Sequence, residues 1–154
     1  MKGDANVLKH LNGVLRNELA AINQYFLHAR MFDNWGLTKL AAKEYESSID
    51  EMKHADDLIQ RILLLEGLPG VQDIGKVAIG ESAVEALQCD LRLEQAAIPE
   101  LRAAVAACEA AGDYVSRDLF SAILDSEEEH EDWLDTQLEL CEQIGLQNFL
   151  QTWM

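Results

Sequence analysis

Two tetrapeptides spell Glu-x-x-His, Glu51-Met52-Lys53-His54 and Glu127-Glu128-Glu129-His130, and each lies in a long stretch with helical periodicity. Residues three apart on a helix share a face, so each tetrapeptide presents a carboxylate and an imidazole side by side. One more glutamate precedes each of them at a fixed interval: Glu51 follows Glu18 by 33 residues, and Glu127 follows Glu94 by 33. The pairs Glu18/Glu94, Glu51/Glu127 and His54/His130 all share an offset of 76. An unconstrained charge pattern rarely repeats in this way. The chain reads as two halves that each supply the same three side chains.

The apolar positions around these residues keep a heptad-like stripe, which predicts four long helices. Asp4 caps the first, which ends near Asn34-Trp35-Gly36. A second runs from Leu37 to about Leu65 and is stopped by Gly67, Pro69 and Gly70. Ser82 caps a third, whose internal Pro99 is expected to bend it locally. Gly112 ends that helix, Asp113 opens a fourth, Gly145 closes it, and Leu146–Thr152 forms a short fifth. Equal heights in an antiparallel hairpin lie equidistant from its turn, so Glu18/Glu51 and Glu94/Glu127 require turns near 34–35 and 110–111, where the stop signals fall. The connector from Glu66 to Glu81 is long for neighbouring helices, but extended it spans about 50 Å, enough to travel the length of a helix. The fold class is therefore all-α: one domain over residues 1–154, a four-helix bundle with one long crossover that leaves helices two and three parallel.

A formal charge of −16 disfavours nucleic acid and anionic lipid as partners and attracts metal cations. Cys89, Cys108 and Cys141 form no C-x-x-C and no disulfide framework, which suits a reducing cytosol. No apolar leader and no bilayer-length apolar run is found, so a soluble, cytoplasmic protein without membrane attachment is expected.

Glu18, Glu51, Glu94 and Glu127 sit on the stripes that face the core, where an uncompensated carboxylate costs several kcal/mol. None of the 12 Lys and Arg residues occupies a stripe position, so internal salt bridges cannot compensate them. A solvated face, the usual place for glutamate, suits Glu128, Glu129 and Glu131 but not these four. Four carboxylates and two neutral imidazoles balance two divalent ions, and the oxygen-rich set suits iron or manganese, with zinc or copper able to compete. Tyr25 and Trp133, near the site in sequence, are read as core packing, with electron donation as a second role.

Over essentially its full length the chain resembles the bacterioferritins. The resemblance is carried by Met1-Lys2-Gly3-Asp4, Asn17-Glu18-Leu19, the run Ala21 to Met31, and Ser48-Ile49-Asp50-Glu51-Met52-Lys53-His54-Ala55-Asp56. Leu65 to Pro69, Asp113 to Asp118 and Gly145 to Asn148 also match. It implies a ferritin-like bundle and a subunit of a hollow shell of about two dozen copies built from two-fold dimers. It also implies oxidation of Fe(II) by O2 or H2O2 and storage of ferric mineral. The family's iron ligands map onto Glu18, Glu51, His54, Glu94, Glu127 and His130. Met52 maps onto the axial ligand of a haem b shared between two subunits, and a ferredoxin-type reductant is implied for iron release. The chain departs from the family at Glu46-Ser47, where His-Glu is common; an inner-wall iron site would then rest on Glu46 and Asp50, with a solvated acidic face as the other reading. Two further functions compete: a di-iron oxygenase or peroxidase with no storage role, and a metal-free helical interaction module.

Overall fold

Asp4 starts the first helix as the sequence predicts, its carboxylate accepting from the backbone N–H groups of Asn6 and Val7 at 2.9 and 3.0 Å. In a computed structural model describing residues 1–154, the helices are α1 (Ala5–Asn34), α2 (Thr38–Leu64), α3 (Ala83–Ala111), α4 (Tyr114–Ile144) and α5 (Leu146–Thr152). Ser82 caps α3 through the Glu85 N–H, and Asp113 caps α4 through the Ser116 N–H. Gly112 adopts φ +70 between those two helices, the left-handed conformation that glycine enters without a steric penalty. Helix α3 runs unbroken past Pro99, whose ring nitrogen has no hydrogen to donate to the preceding turn. The start of α2 has no side-chain cap; instead the Trp153 carbonyl accepts from Lys39 N at 3.0 Å and Leu40 N at 3.4 Å. That cap reaches across the whole sequence and could not be read from local signals.

The connector between α2 and α3 runs along α1. Asn12 binds Leu68 and Gly70, the Arg16 carbonyl accepts from Gly75, Gln24 accepts from Ala78, and His28 accepts from Gly80. The partners advance together, so the connector travels in the direction of α1 and delivers α3 to its far end. Helix α3 then returns antiparallel to α1, meeting it at Asp90 beside His28, Glu94 beside Tyr25 and Glu100 beside Asn17. Because α2 is also antiparallel to α1, helices α2 and α3 are parallel, as the connector length predicts. Gly80 could carry no side chain, since a Cβ there would lie 2.2 Å from the Ala86 nitrogen.

The core is apolar at both ends of the bundle and polar between. One cluster, including Leu11, Leu15, Leu58, Ile62, Leu101 and Phe120, fills the end where α1 begins. Another, including Phe32, Leu40, Leu87, Leu134 and Phe149, fills the opposite end, with α5 folded onto it. Full burial of each such side chain contributes roughly 1.5–3 kcal/mol, and these two ends hold the four helices in register around the polar layers. Arg61, at the α4 start, donates to Asp113 and Ser116 at 2.8 Å each, making a largely buried ion pair that ties α2 to that cap.

Candidate metal centre

The stripe phase places Glu18, Glu51, Glu94 and Glu127 inside the bundle at 2–3% exposure, with His54 and His130 partly buried beside them. They assemble as two overlapping groups, Glu18/Glu51/His54/Glu127 and Glu51/Glu94/Glu127/His130, each with ligand atoms within 4.8 Å of one another. Glu51 and Glu127 belong to both groups, while one glutamate and one histidine belong to each alone. Two glutamate–histidine pairs thus flank two shared carboxylates, and the arrangement follows the 76-residue repeat. Every one of the six residues has a buried oxygen or nitrogen with no hydrogen-bond partner: Glu18 Oε2, Glu51 Oε2, His54 Nδ1, Glu94 Oε2, Glu127 Oε1 and His130 Nε2. Orphaned polar atoms cost about 1–3 kcal/mol each, and their presence on all six residues of two overlapping ligand groups fits a cation pair.

Without metal, protons take over part of the compensation. Burial and the neighbouring Glu127 push Glu94 up to about 8, and burial with Glu51 pushes Glu127 up to about 7. Burial also raises Glu51. For His54 burial opposes the charged form, but the carboxylates of Glu127 and Glu51 override it and carry the imidazole up to about 10. Its Nδ1 lies 3.2 Å from Glu127 and 3.5 Å from both Glu18 and Glu51, close in charge yet poorly aligned for a hydrogen bond. The Tyr25 hydroxyl donates to Glu94, and His130 Nδ1 approaches the same carboxylate at 3.1 Å.

A pocket of about 260 Å³ opens between α2 and α4 and reaches Glu51 and His130. Lys43, Asp50 and Glu129 stand in its lining, and only one of its eight residues is apolar. Asp50 is therefore at the mouth, whereas Glu46 is exposed outside it, and neither joins the buried groups. Met52 lies elsewhere: 51% exposed on the outer flank of the α1–α2 hairpin, it lines an apolar groove of about 710 Å³ with Leu19, Ile22, Ile49 and Ile59.

One polar cluster was missed in the sequence. His28, Glu44 and Asp90 are buried farther along the bundle, on the side of the centre toward the α1 C-terminus, with His28 Nδ1 at 2.8 Å from Asp90 and 3.5 Å from Glu44. Gln24 donates to the same Asp90 oxygen at 2.8 Å. Gly80 N–H occupies His28 Nε2, so the ring proton sits on Nδ1 and points at Asp90; the imidazole offers no free lone pair to a metal. Burial and Asp90 raise Glu44 well above the usual carboxyl range. The cluster anchors the connector to α1 and α3.

A bundle of this topology around a carboxylate–histidine pair defines the ferritin class, and residues 8–144 match the family model of the ferritin-like domain. Similar proteins include a bacterioferritin of Rhodobacter capsulatus, 47% identical over 97% of this chain and 92% of the relative. A bacterioferritin of Streptomyces coelicolor is 47% identical over 99% and 91%, and a bacterial ferritin of Synechocystis sp. is 48% identical over 100% and 99%. The chain belongs to the bacterioferritin family of iron-storing ferroxidases.

Proposed function

We propose that this chain is the subunit of an iron-storing shell and oxidises Fe(II) at a two-metal centre made of Glu18, Glu51, His54, Glu94, Glu127 and His130. The observation that carries the assignment is the convergence of six residues, each with an unpartnered buried polar atom, in two groups that share Glu51 and Glu127. Two Fe(II) ions entering the site displace the protons held by Glu94, Glu127 and His54, and the four carboxylates neutralise their charge. Each pair of ions gives up two electrons on oxidation, which reduce O2 and two protons to H2O2, or H2O2 and two protons to two waters. The carboxylates then face ferric ions, which leave for the mineral store. The polar pocket suits a hydrated cation as the substrate better than an organic molecule, and this favours storage over an oxygenase. At its mouth Asp50, with Glu46 one turn before it, takes the arriving cation first. A crystal soaked anaerobically in Fe(II) is expected to hold two ions roughly 3.5–4 Å apart among the six residues. Ions bound elsewhere, with these side chains turned away, would overturn the assignment.

The apolar groove beside Met52 is read as half of a haem site. A two-fold dimer would bring two such grooves and two thioethers together, one on each face of a shared haem b. Thioether ligation raises the haem potential, suiting an electron path from a ferredoxin-class reductant into the store when iron is released. Assembly into the family's shell of about two dozen subunits, in the cytoplasm, completes this reading; no helix is long and apolar enough to cross a membrane. Met52→Leu keeps the apolar bulk and removes the sulfur, so the variant should assemble and oxidise Fe(II) but lack the haem absorption band. A band of wild-type intensity would assign the ligand to another residue.

A further inference from the structure

We infer that Trp153, the residue after α5, is a positioning residue for His130, so that α5 tunes one of the two metal positions and not the other; the inference rests on the two-metal reading above. The His130 ring is held in a slot. Tyr25 meets one side edge-on, with centroids 5.1 Å apart, and Trp133 stacks on it at 6.2 Å and 23°. Trp133 is in turn held from two directions: Trp153 packs against it at 5.9 Å and 70°, and the Lys43 ammonium lies 5.4 Å from its ring centre.

Both supports trace to the same residue. The Trp153 carbonyl caps α2 at Lys39 and Leu40, one turn before Lys43, while its indole braces Trp133 directly. The indole N–H is buried without a partner, so no hydrogen bond explains the ring's placement and packing alone does. A residue kept in place despite an unsatisfied donor is acting through the surface it packs on, which is the apolar end cluster together with Trp133, and Trp133 is the part of that surface that stacks on His130. His54 has no comparable column, its near neighbours being carboxylates. The effect of Trp153 therefore falls on the position made by Glu94 and His130.

The test is Co(II) titration of the full-length protein, followed by ligand-field absorption, with His54→Ala and His130→Ala assigning the two bands. Trp153→Leu keeps the backbone cap and removes the brace, and it is expected to weaken the His130-dependent ion by about tenfold while leaving the other unchanged. Trp153→Phe, which keeps an aromatic brace and loses the orphaned N–H, is expected to restore it. Two ions bound with wild-type affinity in Trp153→Leu would overturn the inference and leave the two-metal reading intact. Equal weakening of both ions, not restored by Phe, would overturn it by showing a general packing role. A wild-type protein that takes up no second ion would overturn the two-metal reading and this inference with it.

Discussion

Replacing His130 by alanine is expected to slow Fe(II) oxidation by about 100-fold or more, since loss of even a supporting residue around a metal typically costs 10–100-fold and His130 is placed as a direct ligand. The Glu94 position would keep one terminal carboxylate and the two shared ones, enough to hold an ion loosely but not to fix it beside its neighbour. The apolar clusters at both ends of the bundle do not involve His130, so helix content and assembly should survive. Stopped-flow oxidation under air, paired with circular dichroism, separates the two effects. A wild-type rate in a folded variant would remove His130 from the ligand set.

The second large effect concerns pH and is expected in the metal-free protein. Glu94 and Glu127 hold protons in the folded chain up to about 8 and about 7, against an ordinary value of 4.5, and His54 holds one up to about 10 against 6.5. Folded protein therefore binds more protons than unfolded protein across this range, and stability falls as pH rises. The carboxyl contributions are complete below about pH 4.5 and lost through pH 7–8; that of His54 is complete below 6.5 and lost through about 10. Between pH 5 and 8 the loss should be on the order of several kcal/mol, taking one pKa unit as about 1.36 kcal/mol. Urea unfolding of chelator-treated protein measures it. Adding Zn(II) should reverse the slope, because the ion competes with those protons and binds better as they leave. A flat profile in the metal-free protein would mean that the buried carboxylates are compensated in some other way.

The helices, the caps at Asp4, Ser82 and Asp113 and the six converging side chains were readable because each rests on signals carried by the helical segments themselves. Glu18, Glu51, Glu94 and Glu127 announce themselves by stripe phase, and the 76-residue offset ties them together. The His28–Glu44–Asp90 cluster lacks that second signal. Shifted by the same offset, its members fall on Ala104, Phe120 and Val14, all buried apolar residues. The two halves of the chain are thus alike at the centre and different farther along the bundle. The difference is physical: the connector lies along α1, and its amides at Ala78 and Gly80 need acceptors there. Periodicity reports which face of a helix is buried, but not that a coil elsewhere will donate to it. For the same reason the Trp153 carbonyl cap on α2 was invisible.

Glu51 and Glu127, the two carboxylates common to both ligand groups, stand on different hairpins, α1–α2 and α3–α4. Each hairpin closes through contacts local in sequence, the kind that form early in folding, and the pair of hairpins must then dock. A metal ion held between Glu51 and Glu127 would work as a clasp across that docking seam. Pulling the hairpins apart would then mean rupturing coordination bonds as well as exposing core, so a loaded subunit is expected to open more slowly than an empty one. On the two-metal reading, the iron passing through such a subunit would lengthen the lifetime of the vessel that is to hold it.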